Sequence, residues 1–422
     1  MNYTLAKTLW ILIYTPVWFI LRFILMFVPK AQDRFKFEQE NRVDANEADS
    51  GGRSFKKDNL KADVCLEFSS EGEYQQVASL IADALTEGKK LELVFFSPSV
   101  EKTIIDLQKK YPDQIRYFRY ALLDGYTFSD WASSDTLILV RYDLFPEFLI
   151  WSFKPGRTLK FVWVTFKKER MKAKVVSPFK KAFLKRSKSI VYSTNADLEQ
   201  GTDLGFPGVV YDFRMEQIQR RIQNRLEKFS THFTLYSEFK NHLESYPRGK
   251  RLILGNAWPE DMFLLENISH DVLIVIVPHQ LKPEILAKMT ESLLKFNRTP
   301  SIISEDTTAI PLSSTLILNK KGILCELYAD FGKSYVGGGF GVSVHSLLEP
   351  LIAGSEHLSC GPVNHRSTEF DLGLEYGLLK EVKDAQEFKD WLNLDIPKYK
   401  DRDKLLFQIA KYTSFKKDLL SC

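Results

Sequence analysis

From Lys61 onward, short apolar runs alternate with longer stretches of helical character, and this alternation limits the fold more than any other feature of the chain. The strand candidates are Ala62 to Phe68, Leu91 to Ser97, Thr136 to Arg141, Leu159 to Thr165, Ser189 to Ser193 and Gly208 to Tyr211. A highly charged, mostly helical stretch from Arg214 to Tyr246 follows. The alternation then restarts with Arg251 to Leu254, Val272 to Val277, Thr315 to Leu318, Ser334 to Val336 and His357 to Ser359. Strands joined through helices are the rhythm of a parallel sheet, so the expectation is an α/β chain with two doubly wound domains. Their expected bounds are 61–213 and 250–400, with 214–249 an interdomain helical segment. Residues 401–422 have helical periodicity and are expected to pack back across both halves. The 422 residues suit two such domains, and a pair of them places a ligand in the cleft outside the carboxyl ends of the strands.

Ahead of the domains, Leu9 to Val28 is an apolar run broken by one charge, Arg22, and at about 1.5 Å per residue it is just long enough to cross a bilayer. Residues 1–30 are therefore expected to form a retained membrane anchor helix, since Val28-Pro29-Lys30 offers no small-residue cleavage site. Arg22 at mid-depth costs about 2.5 to 3.5 kcal/mol, which leaves open a helix lying at the interface with that side chain snorkelling. Lys30, Arg34 and Lys36 outnumber Lys7 and favour a cytoplasmic globular part. Residues 31–60 are polar and read as a linker.

The chain holds 58 Lys and Arg against 54 Asp and Glu, too even to imply a nucleic-acid partner, but the charge is unevenly spread. From Phe153 to Lys188 there are 13 basic residues and one acid, a sector of +12 in a chain whose remainder is −8. An anionic membrane surface is the expected partner of that sector, with Lys167 and Lys168 among the residues that meet an anionic acceptor. Cys65, Cys325, Cys360 and Cys422 form no CxxC pair, which excludes a disulfide framework or a zinc site of that type.

Phe68-Ser69-Ser70-Glu71-Gly72-Glu73 lies between the first strand and a helix, where Glu73 is either a general base at a ligand cleft or an acid favoured by the helix dipole. Tyr335-Val336-Gly337-Gly338-Gly339-Phe340-Gly341 follows a strand and precedes Val344-His345-Ser346-Leu347-Leu348-Glu349-Pro350. It reads as a phosphate-approaching loop or as an ordinary Gly-rich turn. If a helix has begun there, His345 and Glu349 share a face. Asp401-Arg402-Asp403 stands among cations on a helix start and reads as a solvated cap, so no metal or cofactor is expected.

The order of these motifs resembles the 3-deoxy-D-manno-octulosonic acid (Kdo) transferases of lipopolysaccharide synthesis, and the resemblance spans nearly the whole chain. Ser70-Glu71-Gly72-Glu73 matches the family's Ser-x-Gly-Glu, and Tyr142-Asp143-Leu144-Phe145-Pro146 stands where the family has Thr-Glu-Leu-Trp-Pro. Tyr211-Asp212-Phe213-Arg214, Gly255-Asn256-Ala257-Trp258-Pro259-Glu260-Asp261, Pro278-His279, the Gly337 to Gly341 loop, His345-Ser346 with Glu349-Pro350, and Gly361-Pro362 with Asn364 complete the set. The chain departs from the family at Glu67-Phe68-Ser69, Asp143, Val164-Thr165-Phe166 and Ser346. The resemblance implies a GT-B fold, two Rossmann-like domains with acceptor bound in the first and nucleotide sugar in the second, and an inverting, metal-independent transferase at the cytoplasmic face of a bacterial inner membrane. It implies CMP-Kdo as donor and a lipid A precursor as acceptor. Glu73 would be the catalytic base, with Ser70, Gly72 and Asp143 on the acceptor. Arg214, His279, Gly338, Gly339, Gly341, His345, Ser346, Glu349 and Asn364 would hold the donor. A catalytically silent or re-targeted relative, binding an anionic glycolipid or using a different sugar or acceptor, is the alternative.

Overall fold

The computed structural model describes residues 3–29, 31–33, 36, 61–120, 127–141, 144–166, 178–341, 344, 346–362, 368–394 and 401–421. Asp143, Lys167, Lys168, His345, Asn364 and most of the linker over 31–60 lie outside them. The chain divides into one unit of Met1–Arg214 with Lys411–Cys422 and a second of Met215–Ala410.

Among the described residues the first unit has one seven-stranded sheet in the order β3-β2-β1-β4-β5-β6-β7. Its strands are β1 Val64–Glu67, β2 Leu91–Phe95, β3 Ile115–Arg119, β4 Thr136–Val140, β5 Thr158–Val164, β6 Ser187–Tyr192 and β7 Val209–Val210. Every pairing is parallel, and the register sets Glu67 against Val94 on β2 and against Leu139 on β4. The strands are apolar on both faces because helices cover both. Leu66, Leu93 and Ile138 pack to one side with Val77, Leu80 and Ile81 of helix Glu71–Thr86. Cys65, Val94 and Leu139 pack to the other with Phe128, Phe148 and Trp151.

The second unit repeats the plan in the order β10-β11-β9-β8-β12-β13-β14. Here β8 is Arg251–Ala257, β9 Leu273–Pro278, β10 Ser301–Ile303, β11 Thr315–Leu318, β12 Lys333–Val336, β13 His357–Cys360 and β14 Leu379–Glu381. Helices Arg225–His232 and Tyr236–Glu244 place Phe229, Phe233 and Phe239 against Ile253, Val275 and Leu316. In the first sheet the strand order reverses between β1 and β4; in the second it reverses between β8 and β12, with β11 inserted between β9 and β10.

The sequence reading locates β1, β2, β4 to β9 and β11 to β13 and misses β3, β10 and β14, all three of them sheet edges. Edge strands are short and half-polar, so they lack the apolar run that marks a strand buried on both faces. In β3, Arg116 lies inside the fold, paired with the buried Glu92 at 2.9 Å and stacked on Trp131. The expected single membrane helix over residues 1–30 is not found. Tyr3–Leu9 and Thr15–Leu25 are α-helical, Trp10–Tyr14 between them is π-helical, and among the described residues no helix is long and apolar enough to cross a membrane. Pro16 supplies no N–H for the carbonyl of Leu12, which favours a rearranged turn at that point. The first helix meets the folded unit through the buried Ala6 and through Tyr3, whose ring lies 4.9 Å from the Lys154 ammonium.

The basic sector is also less uniform than its composition suggests. Lys154 donates to the Ser129 carbonyl, Arg157 pairs with Asp135, Lys180 donates to the Thr165 carbonyl and Arg186 to that of Ser152. Lys181, Lys185 and Lys188 are exposed. Lys160 is buried, and its ammonium donates to the carbonyls of Asp418, Leu419 and Ser421 at 2.5, 3.1 and 2.7 Å, closing the end of helix Tyr412–Leu420. Lys160→Met leaves those carbonyls without their donor. It is expected to cost about 2 kcal/mol in urea unfolding and to make the C-terminal helix the first site of proteolysis.

Candidate active site

Open α/β sheets bind ligands at the carboxyl ends of strands where the strand order reverses. In the first unit that point lies between β1 and β4. Ser70 caps helix Glu71–Thr86 in extended backbone, and its carbonyl accepts the N–H groups of Glu73 and Tyr74 at 3.1 and 2.9 Å. Glu73 thus falls in the first turn, and its Oε2 accepts the Ser69 N–H at 2.7 Å, holding the carboxylate back over the strand end. Burial pushes the Glu73 carboxyl above its ordinary range, while the Ser69 N–H and the positive charge of Arg141 act in the opposite direction. Glu71 faces elsewhere: its two oxygens accept from Gln75 and from the Thr103 hydroxyl on the next helix. Gly72 is exposed, and among the described residues a Cβ built on it meets nothing within 4 Å.

Arg141, opposite Glu73 across the reversal, was not singled out from the sequence. It follows β4 directly, its N–H donates to the Val162 carbonyl at 3.0 Å, and its φ is +70°. Its guanidinium lies 4.3 Å from the centre of the Trp163 ring, and Trp163 itself has φ of +64°. The Arg214 guanidinium lies 5.0 Å from the same ring and is held in a fork by Asp212, with Nε 3.0 Å from Oδ1 and Nη2 2.6 Å from Oδ2. A cation at the end of an apolar strand looks like an ordinary surface terminus in sequence, and only the reversal of strand order brings Arg141 beside Glu73.

At the second reversal, between β8 and β12, the central residue is Asp261. Its carboxylate is fully buried and accepts the Trp258 N–H at 2.8 Å, the Tyr335 hydroxyl at 2.8 Å and the Gly338 N–H at 3.1 Å. Burial raises the Asp261 carboxyl and these hydrogen bonds lower it. The N–H of Gly338, expected to face a phosphate, is therefore committed to a carboxylate of its own domain. Gly337 and Gly339 are required by close backbone approach: a Cβ on Gly337 would stand 2.6 Å from the Ala257 Cα, and one on Gly339 would stand 2.6 Å from the Gly361 Cα. Gly341 has ordinary room, its nearest atom being the Glu260 Cγ at 3.8 Å. His279 follows β9 and stacks on Trp258 with ring centres 4.8 Å apart.

The helix expected to open at His345 begins only at Leu348, so Ser346 precedes it, and the expected shared face of His345 and Glu349 lies outside the described residues. Glu349 lies in its first turn, accepting from Arg221 at 3.2 Å. The same guanidinium pairs with the fully buried Glu326 at 2.9 Å. Burial raises the Glu349 carboxyl, against the lowering effect of Arg221, with Glu326 and Glu369 adding to the rise.

No protein-family model matches the chain, and no curated protein matches its sequence. Its fold is similar to that of solved structures. UDP-GlcNAc 2-epimerase from Neisseria meningitidis, bound to UDP-GlcNAc, aligns over 82% of this chain and 99% of its own at 10% identity and a TM-score of 0.50. The fold is GT-B-like. An α,α-trehalose-phosphate synthase from Burkholderia vietnamiensis aligns over 84% of this chain and 98% of its own at 11% identity and 0.46. The C-terminal CMP-Kdo binding domain of WaaA from Acinetobacter baumannii aligns over 47% of this chain and 93% of its own at 19% identity and 0.31. The first of these speaks to the fold alone, and the other two, below 0.5, add nothing to it.

The two switch points make separate predictions. Gly339→Ala drives a Cβ into backbone that has nowhere to move and is expected to cost about 1 to 3 kcal/mol in thermal or urea unfolding, whereas Gly341→Ala is expected to change stability by less than about 1 kcal/mol. For Glu73, folding raises the carboxyl pKa above its ordinary value of 4.5, so its contribution to stability is present below that value and is lost as pH rises through the folded one. Glu73→Gln has no such loss. The melting temperature of the variant relative to the wild type is expected to climb from about pH 4 to pH 7, and a flat difference would show that burial does not govern this carboxyl.

Proposed function

We propose that this protein is an inverting glycosyltransferase that moves Kdo from CMP-Kdo to a lipid A precursor at the cytoplasmic face of a bacterial inner membrane. The observation that carries the reading is Glu73, at the position the Kdo-transferase resemblance gives to the base: a largely buried carboxylate at the β1/β4 reversal of a GT-B-like fold, beside the exposed Gly72. The nucleotide sugar carried by the structurally similar epimerase supports a sugar-nucleotide donor.

In this mechanism Glu73 accepts the proton of an acceptor hydroxyl, whose oxygen attacks the Kdo anomeric carbon while CMP departs from the opposite face. Ser70 and Gly72, with Asp143, Lys167 and Lys168, hold the acceptor. The Gly337 to Gly341 loop, His279, His345, Ser346 and Asn364 hold the donor, and Glu349 accepts from the ribose hydroxyls. Arg214 stabilises charge on the leaving phosphate. The exposed apolar side chains Leu12, Phe19, Phe23 and Phe27, with Lys181, Lys185 and Lys188, are the groups for contact with an anionic membrane, at about 1 kcal/mol per cation near such a surface.

A second reading, a relative that binds without transferring, is favoured by the intramolecular partners of Gly338 and Glu349. CMP release from CMP-Kdo with a lipid A precursor separates the two. In the first reading the wild type releases CMP, and Glu73→Gln lowers turnover about 100-fold or more with donor binding nearly unchanged. CMP binding without release in the wild type selects the second.

A further inference from the structure

We infer that Arg221, gripped by the buried Glu326, is a positioning residue that fixes the Glu349 carboxylate for the vicinal hydroxyls of a ribose, and so makes the second unit select ribonucleotides over 2′-deoxyribonucleotides. The inference rests on the reading of Glu349 as the acceptor of those hydroxyls, and Arg221 acts through it.

Three observations lead there. First, Glu326 is fully buried and takes the Arg221 guanidinium side-on, with Nε 2.9 Å from Oε1 and Nη2 3.2 Å from Oε2. A planar guanidinium held in two parallel bonds has one orientation, and its remaining nitrogen, Nη1, reaches the Glu349 Oε1 at 3.2 Å. Second, this contact uses one oxygen of Glu349 and leaves capacity for a ligand. Among the described residues no hydrogen bond is made to its Oε2, the side chain is 21% exposed, and each carboxylate oxygen accepts two bonds. Third, the surroundings oppose the charge that a hydroxyl-accepting carboxylate needs. Glu326 and Glu369 stand near Glu349, with Glu369 accepting the Leu348 N–H at 3.1 Å, and Cys325 and Tyr328 are buried close by. The Lys228 ammonium lies 3.4 Å from Glu326. Burial raises the Glu349 carboxyl and the two acids add to the rise, whereas Arg221 lowers it. One guanidinium thus supplies both the orientation and the opposing charge.

The test is calorimetry on the full-length protein with CMP and UDP, each beside its 2′-deoxy form. The wild type is expected to bind CMP about 10-fold or more tightly than dCMP, and Arg221→Met to lose about 5-fold or more of that preference at pH 7 with dCMP affinity unchanged. Arg221→Lys, which keeps the charge and loses the fork, is expected to fall between them. The CMP-to-dCMP ratio cancels the titration of phosphate and base. It is expected to fall as Glu349 is protonated, and to fall at higher pH in Arg221→Met, because the guanidinium that lowers this carboxyl is gone. The double variant Arg221→Met with Glu326→Leu removes the buried pair together, which folds tolerate, and is expected to show the same loss. An unchanged ratio in either folded variant, or an equal loss for CMP and dCMP, reduces Arg221 to a structural tie and overturns the inference. No binding of either ribonucleotide to the wild type, or no preference over the deoxy forms, also overturns it. Arg221-dependent preference for UDP over dUDP without CMP binding keeps the positioning role and ends the CMP-Kdo reading.

Discussion

Every strand in both sheets runs parallel to its neighbours, and the rest of the structure depends on that constraint. A parallel strand cannot pair with its predecessor through a tight turn. The chain must cross a face of the sheet, and with helices on both faces the strands are buried on both. The order of strands must then reverse, and at the reversal the loops leave in opposite directions and expose strand ends. In the first unit the loop after β1 carries Glu73 and the strand end after β4 carries Arg141. In the second, the loops after β8 and β12 bring Asp261 and the glycine run together.

The two reversals are built differently. At β8/β12 the buried carboxylate of Asp261 is spent on its own backbone and on Tyr335, and the glycines around it permit backbones to approach to distances no side chain tolerates. Such a fully satisfied buried carboxylate fixes loop geometry. At β1/β4 the groups are less self-contained. Glu73 has a backbone donor and a nearby cation, and the backbone at Arg141 and Trp163 is in a costly conformation.

Much of this was legible in the residues. The strands of the sheet interiors, such as Leu91 to Phe95 and Val272 to Val277, announce themselves because burial on both faces demands an unbroken apolar run. The Ser70 to Glu73 segment is recognisable as a strand-to-helix turn with an acid in the first helical turn. Of the four edge strands only β7 was legible, and β3 was not, since its Arg116 becomes an interior residue only by meeting Glu92. Nor was the π-helical stretch between the two N-terminal α-helices, because hydropathy averages over Trp10 to Tyr14 and is blind to the missing N–H of Pro16.

The amino-acid sequence by itself determined the α/β class, the two sheets, most of the strands and the turn that carries Glu73, because these follow from local periodicity and from what each residue costs to bury. Only the tertiary structure decided which strand ends meet. Arg141 comes beside Glu73, Arg221 comes to Glu349 from the segment after Arg214, and Gly338 gives its N–H to Asp261, each through partners far apart in the chain. Periodicity reports which side of an element is apolar and says nothing of the partner it finds. Strand order, set by the crossovers and by the packing of both sheet faces, settles those pairings and with them the chemistry of each site.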